Sequence, residues 1–288
     1  MVVINLENPA VRSYMVYSAI LALKLLSVSV LTAMNRMARG VFANPEDAKT
    51  HPKGKVKFDD PNVERVRRAH LNDLENIPAF WILGALYVAT GPAPAWAAWL
   101  FRAYTAGRVL HTLVYAVTPL PQPARAIAFF VPYLIMWYMG IQVVLNFATA
   151  LSYFFYSAVL ALKVLLTAML TGRVRFAKKV FANPEDAKGK GVVKLDDPDV
   201  ERVRRAHLND LENIPAFWVL GALYATTGPA AAWAAWLFRA YTAGRVLHTL
   251  VYAVTPLPQP ARGIAYGIPY LIMWYMGIHV VIHYASAL

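Results

Sequence analysis

The sequence predicts an all-α integral membrane protein made of two tandem four-helix transmembrane bundles, with eight membrane spans. The first observation behind this prediction is the composition. Of the 288 residues, 58% are hydrophobic and 15% are charged, whereas about 25% of the residues in a soluble domain are charged. Such a composition disfavours an ordinary cytosolic enzyme and favours a chain that lies largely in lipid.

The second observation is that the chain contains the same unit twice. VFANPEDAK begins at Val41 and again at Val180, and the 63 residues 63–125 recur at 200–262 with only four differences. Fixed-period self-similarity indicates a repeated structural unit. The uncharged junction between the copies lacks the composition of a flexible linker. We therefore expect a first unit at residues 1–149 and a second at residues 150–288.

Each copy contains four apolar segments. A bilayer core about 30 Å thick needs about 20 helical residues, so three of the four are long enough to cross it. The second is short, but the residues before it favour a helix, and we expect one helix to run from water into the membrane. Open sheets cannot cross lipid, so all the spans are predicted to be helical. In the first copy the segments are approximately Tyr14–Thr32, Ile77–Thr90, Ala93–Val117 and Ile127–Phe147.

The charges predict the topology. The net charge is +12, but the basic residues are scattered among apolar runs, which disfavours nucleic-acid binding. Of the 16 acidic residues, 15 lie in 46–75 or 185–212, together with many lysines. Charged loops of this kind are typically cytosolic. We therefore place the loops after the first and third helices of each copy in the cytosol, and both termini and the junction on the other side. Glu7 and Arg12 precede the first apolar run, which disfavours a cleavable signal peptide.

Ionisable groups on apolar helices are costly unless they face a partner, a ligand or water. On the second helix, Arg65, Arg68, Asn72 and Glu75 are spaced by three, four and three residues, which places them on one helix face. Arg108, His111 and Tyr115 share a face of the third helix in the same way. Arg36 ends the first helix, and Arg125 precedes the fourth.

These groups allow two interpretations. One is an intramembrane pocket for a small anionic, peptide-like ligand. The other is a structural network that fixes the helices in register, with Arg108 paired to Glu75 or Asp73. For the whole set the first is favoured, because the positive groups of each unit outnumber the nearby carboxylates; in the first unit these groups are Arg36, Arg65, Arg68 and Arg125.

The remaining polar residues suggest other roles. Lys24 and Arg102 are assigned to snorkelling or to pairing between helices. No metal is expected, because His70 and His111 lie on different helices without ligand spacing. The absence of cysteine excludes disulfides, thiolate catalysis by the chain itself and cysteine-based zinc sites.

Taken together, the motifs VFANPEDA, DDPxVERVRRAHLNDLEN, GRVLHTLVY and PLPQPAR resemble the membrane-associated proteins in eicosanoid and glutathione metabolism, the MAPEG family. The resemblance is closest to the type-one microsomal glutathione transferase branch and next to the prostaglandin E synthase branch. It implies a four-helix bundle per unit, trimers of units within a homo-oligomer, and glutathione bound in clefts between neighbouring units, open to the cytosol and to lipid. It also implies location in the endoplasmic reticulum and in the outer mitochondrial membrane.

The resemblance also assigns residue roles. It implies that Arg125 and Arg262 activate the glutathione thiol, and that Asp47 and Asp186 are catalytic acids. The implied glutathione contacts are Arg36, Arg68, Asn72, Glu75, His111 and Tyr115 in the first copy and Arg175, Arg205, Asn209, Glu212, His248 and Tyr252 in the second.

The expected activity is glutathione transfer to lipophilic electrophiles and reduction of lipid hydroperoxides by an arginine-stabilised thiolate. One alternative is a glutathione-dependent prostaglandin E synthase, and another is a non-enzymatic regulatory or binding protein. Ala126 and Gly263 stand where the synthase pattern has serine, and Leu71 and Leu208 match the transferase pattern, whereas TGRVRFAKK is more like the synthase. Both copies keep every assigned polar residue, which disfavours the non-enzymatic alternative.

Two units per chain do not match a trimer of units directly. The chain could donate its units to two trimers, three chains could form an assembly of six units, or one unit could stand outside the active assembly. The sequence leaves these three arrangements open.

Overall fold

The computed structural model of the chain describes residues 6–148, 152–187, 189 and 191–285. The chain divides into two compact units, Met1–Tyr138 and Met139–Leu288. The repeat boundary expected at residues 149 and 150 lies outside the described residues and stays a prediction. The prediction of an all-α membrane fold in two tandem units is confirmed.

In the first copy, four long helices carry the fold. These are α1 (Pro9–Arg39), α3 (Pro61–Ala89), α4 (Pro94–Thr112) and α5 (Ala124–Phe147), and α4 continues into a π-helical turn, Leu113–Val117. A short segment between α1 and α3 holds β1 (Val41–Phe42), α2 (Pro45–Lys49) and β2 (Lys55–Val56). β1 and β2 pair in parallel, with Val41 opposite Lys55.

The second copy repeats this order. Its long helices are α6 (Tyr153–Lys178), α8 (Pro198–Thr226), α9 (Ala231–Thr249) and α10 (Ala261–His283), with a π-helical turn at Leu250–Val254 after α9. The short elements are β3 (Val180–Phe181), α7 (Pro184–Ala187) and β4 (Val192–Val193), and β3 and β4 again pair in parallel.

Helix α3 starts in the polar segment and continues without a break into the apolar one, which confirms the predicted continuous helix. Asp60 caps its start, where the carboxylate accepts hydrogen bonds from the backbone N–H groups of Asn62 (3.1 Å) and Val63 (3.2 Å). Burial acts to raise the pKa of Asp60. These hydrogen bonds, with the positive charges of Arg39 and Lys57, outweigh burial and lower that pKa below its ordinary value.

Inside the first unit, α1 packs against α3 and α4. The Phe80 ring of α3 stacks on the Tyr104 ring of α4 with centroids 4.1 Å apart, and the Tyr104 hydroxyl donates to the Asn76 carbonyl at 3.0 Å. α4 and α5 meet closely at Gly107, where an added Cβ would lie 2.4 Å from Pro132 Cγ. The same approach occurs between Gly244 and Pro269. Any larger residue at these glycines would push the last two helices of a unit apart.

Within the described residues, four helices are long and apolar enough to cross a bilayer: α1, α5, α6 and α10. The sequence predicts eight spans. The other four long helices fall short in composition, because α3 and α8 begin in charged sequence and α4 and α9 combine 19 residues with buried arginine and histidine. Some of their polar side chains are buried against neighbouring helices, among them Asp73 of α3 and Arg108 of α4.

A buried charge triad ties three helices of the first unit together. The Asp73 carboxylate of α3 lies between Lys24 Nζ of α1 and Arg108 Nη2 of α4, with a 2.5 Å distance to the arginine. The side chains of Asp73 and Arg108 are 0% and 1% exposed. Of the two partners expected for Arg108, the structure selects Asp73. In the second unit the triad is formed by Lys163, Asp210 and Arg245.

Lys24 and Arg102 each contact a side chain of another helix. Of the two roles expected for them, snorkelling and pairing between helices, the structure shows the second. Lys24 contacts Asp73, and Arg102 of α4 donates to the Tyr17 hydroxyl of α1 at 3.1 Å. The second unit repeats this contact between Arg239 and Tyr156 at 3.2 Å.

Removing the central carboxylate should destabilise each bundle strongly. Asp73→Ala with Asp210→Ala leaves two buried cations per unit without a counterion, and we expect the free energy of unfolding of a unit to fall by about 3–5 kcal/mol. Thermal unfolding in detergent micelles measures this. The control is Asp59→Asn, because the Asp59 carboxylate is 78% exposed and lies 3.7 Å from Lys57, a kind of pair worth about 1 kcal/mol or less. Equal effects in the two variants would contradict a stabilising role for the triad.

Candidate functional site

A column of two rings and a guanidinium group forms at the end of α4 in the first unit. The His111 ring stacks on the Tyr115 ring, with centroids 5.3 Å apart and planes 21° apart. The Arg125 guanidinium, from the start of α5, lies over the Tyr115 ring, with Cζ 4.2 Å from the ring centroid. This distance is within the range of a cation–π interaction. His111 and Arg125 are buried, so the positive charge is held in a largely desolvated place.

The π-helical turn places Tyr115 in this column. Thr118 N–H donates to the Leu113 carbonyl at 2.8 Å, five residues back, so the turn is wider than an α-helical one. Such turns often occur at functional sites because they change the direction of a side chain relative to its helix.

The second unit builds the same column. His248 and Tyr252 stack with centroids 5.4 Å apart and planes 23° apart, and Arg262 Cζ lies 5.0 Å from the Tyr252 centroid. The structure therefore brings together three predicted site residues in each unit, from two different helices.

Two more predicted residues, Asn72 and Glu75, meet on α3. Asn72 Nδ2 donates to Glu75 Oε2 at 3.5 Å, so the side chains share one helix face as the spacing predicts. Asn72 Oδ1 accepts from Arg108 Nη2 at 2.9 Å. Because an arginine can only donate, this bond fixes the amide with its oxygen toward Arg108 and its NH₂ group toward Glu75. The bond recurs between Arg245 and Asn209 at 2.9 Å.

The predicted arginines of α1 and α3 are partly enclosed. Arg36 lies in the last turn of α1, and among the described residues its buried Nη1 atom has no hydrogen-bond acceptor. Arg68 is half-buried on α3. Their counterparts Arg175 and Arg205 are half-buried and exposed, respectively.

The predicted acids Asp47 and Asp186 lie in the short helices α2 and α7. The Asp47 carboxylate is exposed and accepts from Asn44 Nδ2 at 3.2 Å. Asp186 accepts from Asn183 Nδ2 at 2.8 Å. These contacts stabilise the first turn of each short helix and are local to the NPED motif.

One aromatic position beside the column was not predicted. The Phe129 centroid lies 6.2 Å from that of His111, and the Tyr266 centroid lies 6.3 Å from that of His248. The signal was present in the sequence, because each residue follows the column arginine by four positions and so lies one turn further on the same face of its helix.

The arrangement suits a ligand that carries both signs of charge. A buried guanidinium group, the Nδ1 atom of His111 and the Asn72 amide offer polar groups to an anion, and Glu75 offers a carboxylate to a cation. His111 Nδ1 is buried and has no hydrogen-bond partner among the residues that the structure describes. In a medium of low dielectric constant, each of these charges acts more strongly than it would in water.

The cation–π contact should stabilise each unit measurably. Tyr115→Leu with Tyr252→Leu removes the ring face under the guanidinium, and we expect the free energy of unfolding of a unit to fall by about 1–2 kcal/mol. Tyr115→Phe with Tyr252→Phe keeps the ring face and should stay close to the parent. Thermal unfolding in detergent distinguishes the two pairs, and an equal loss in both would show that the hydroxyl groups matter and the ring faces do not.

Comparison with known proteins identifies the family. The model of the MAPEG family matches residues 14–145 and again residues 153–282. Microsomal glutathione S-transferase 1 of Homo sapiens is 46% identical over 132 residues, which are 44% of this chain and 84% of that protein. Prostaglandin E synthase of Bos taurus is 42% identical over 127 residues, which are 43% of this chain and 82% of that protein. The human prostaglandin E synthase is 36% identical over 139 residues, 48% of this chain and 90% of that protein. Each relative thus aligns with about half of the chain, and the chain belongs to the MAPEG family, with two family units in tandem.

Proposed function

We propose that the chain is a membrane-bound glutathione transferase that also reduces lipid hydroperoxides with glutathione. The observation that carries this proposal is the column of His111, Tyr115 and Arg125, repeated in the second unit, which gathers residues that the family resemblance assigns to glutathione. The names of the relatives support glutathione as the co-substrate, and those named microsomal support the endoplasmic reticulum as the location. The lysine-rich loops support a site that opens to the cytosol.

Glutathione carries two carboxylates, one ammonium group and one thiol. In the proposed binding mode the arginines pair with the carboxylates, and Glu75 pairs with the ammonium group. The buried Nη1 of Arg36 supports this mode, because a buried N–H group without an acceptor is costly until a ligand supplies one. The Asn72 NH₂ group, oriented by Arg108, provides a further donor. The second unit would use Arg175, Arg205, Asn209, Glu212, His248 and Tyr252 in the same way.

The proposed catalytic step rests on the charge of Arg125 and Arg262. A free thiol has a pKa of about 8.5, and only its thiolate is a good nucleophile. A guanidinium group aimed at the sulfur stabilises the thiolate, whether buried like that of Arg125 or half-buried like that of Arg262, and each unit by which the thiol pKa falls corresponds to about 1.4 kcal/mol. The chain contains no cysteine, so glutathione supplies the reactive sulfur. No metal takes part in this scheme.

Two reactions follow from the thiolate. With an aryl halide, the sulfur bonds to the ring carbon and the halide leaves with its electron pair. With a lipid hydroperoxide, the sulfur bonds to the terminal oxygen, the O–O bond breaks, and the alkoxide takes a proton from water. A second glutathione then reduces the resulting sulfenic acid to give the disulfide and water. The lipophilic substrates reach the site laterally from the bilayer.

We also propose a catalytic role for the acids Asp47 and Asp186, and the NPED motif supports this assignment. The proposed assembly is a homo-oligomer built on trimers of units, supported by membership of the family. Endoperoxide isomerisation is the second candidate activity, favoured by the prostaglandin E synthases among the relatives. Ala126 and Gly263 argue against this activity, because they stand where the synthase pattern has a serine.

The first test removes the activating charge from both units. Arg125→Ala with Arg262→Ala should lower turnover with a chlorinated nitrobenzene at least about 100-fold, as expected for the loss of a group that stabilises developing negative charge. Glutathione should still bind, as equilibrium dialysis measures. The matched control is Arg102→Ala with Arg239→Ala, which removes one arginine per unit outside the column and should retain activity. Full activity in the Arg125 and Arg262 double variant would refute the assigned role.

The second test separates the candidate activities. The purified protein is given glutathione with a chlorinated nitrobenzene, a lipid hydroperoxide or a prostaglandin endoperoxide. We expect conjugation and peroxide reduction to exceed isomerisation. Isomerisation as the dominant activity would replace the proposed function by the second candidate, and no turnover of any substrate would refute both.

A further inference from the structure

The two units are identical at every residue assigned to glutathione but differ immediately beside the column. The differences that flank the column lie in the first two turns of the last helix, after the column arginine. They are Ala126 against Gly263, Phe129 against Tyr266, Phe130 against Gly267, and Val131 against Ile268. The histidine, tyrosine and arginine of the column are the same in both units, so these substitutions are the differences that lie closest to the column along the sequence.

At the second of these positions the rings occupy equivalent places. Phe129 lies 6.2 Å from His111 at an interplanar angle of 54°, and Tyr266 lies 6.3 Å from His248 at 56°. Each ring also stacks on the tyrosine four residues further along its helix, Tyr133 at 5.5 Å or Tyr270 at 5.6 Å. The hydroxyl of Tyr266 is therefore the main chemical difference, and among the described residues it forms no hydrogen bond.

At the next position the units differ in shape. The Phe130 ring is 48% exposed and packs edge-on against Phe129, with centroids 5.4 Å apart and planes 81° apart. In the second unit Gly267 stands here, and a Cβ added to it would have no neighbour within 4 Å. We call these two positions the wall of each column. In the first unit the wall consists of two hydrocarbon rings, Phe129 and Phe130, whereas in the second unit it has a hydroxyl group on Tyr266 and open space at Gly267.

From this difference we propose that the units divide the second substrates between them: the first prefers flat aryl electrophiles, and the second prefers organic hydroperoxides. This inference rests on the proposed glutathione chemistry. Phe129 and Phe130 offer ring faces and edges on which an aryl electrophile can stack. Gly267 leaves room for the bent, non-planar carbon chain of a hydroperoxide, and the Tyr266 hydroxyl faces its oxygen atoms.

The hydroxyl has a defined role in peroxide reduction. The glutathione thiolate attacks the terminal oxygen of R–O–O–H, the S–O bond forms, and the O–O bond breaks with its electron pair going to the R–O oxygen. Tyr266 donates a hydrogen bond to this developing alkoxide, which then takes a proton from water. A hydrogen bond to a charged group contributes about 1.5–3 kcal/mol, and even the lower value corresponds to about a tenfold change in rate. Phe129 has no donor to offer.

The experiment isolates each unit within the full chain. Arg262→Ala leaves the first unit as the active one, and Arg125→Ala leaves the second. For each variant, kcat/KM is measured with cumene hydroperoxide and with a chlorinated nitrobenzene, and the ratio of the two is compared. The ratio cancels losses of folded protein. We expect it to be at least about tenfold higher for the second unit, whereas ratios equal within about twofold would overturn the proposal.

Exchanging the wall residues between the units tests whether they cause the difference in the kcat/KM ratio. Tyr266→Phe with Gly267→Phe, in the Arg125→Ala background, should lower the ratio at least about fivefold. Phe129→Tyr with Phe130→Gly, in the Arg262→Ala background, should raise it. A ratio unchanged by both exchanges would overturn the assignment to these residues. If the parent protein turns over neither substrate with glutathione, the proposed function itself fails, which is distinct from a parent that uses both substrates with equal ratios in its two units.

Discussion

Each bundle depends on one carboxylate, Asp73 or Asp210, held between a lysine and an arginine in an apolar core. A lone charge there would be very costly, so the three side chains are stable only together. The triad joins the first three long helices of a unit, and it also orients the site. Arg108 uses the same Nη2 atom toward Asp73 and Asn72, so the amide beside Glu75 is fixed by the charge network that holds the bundle together.

The second constraint is that the start of the last helix, α5 or α10, lies close to the end of the preceding helix, α4 or α9. The π-helical turn holds Tyr115 or Tyr252, and the loop that follows it leads to Arg125 or Arg262, whose guanidinium group lies over the tyrosine ring. An aromatic ring carries no formal charge, so the cation–π contact itself does not cancel the charge of the guanidinium group. The close approach of Gly107 to Pro132 brings the two helices near enough for this contact.

Much of this arrangement could be predicted from the sequence. The repeat, the continuous α3 helix and the shared face of Asn72 and Glu75 follow from self-similarity and helical spacing. The partner of Arg108 could not be chosen, because Asp73 and Glu75 are two positions apart and only the packing angle of α3 against α4 decides between them. The cation–π contact also depends on tertiary structure, since it needs the conformation of the loop before α5. Apolar composition alone identifies only α1, α5, α6 and α10 among the described helices as long and apolar enough to cross a bilayer, because the other four long helices carry charged or polar residues along their length.

In the proposed mechanism, the column arginine of each unit stabilises the thiolate of bound glutathione. Its most direct test is a pH titration of the thiolate ultraviolet absorbance of glutathione bound to the purified protein. We expect a thiol pKa at least about one unit below the free value of about 8.5, and a return toward that value when Arg125 and Arg262 are both replaced by alanine. A bound thiol that titrates at the free value in the parent protein would contradict this role of the two arginines.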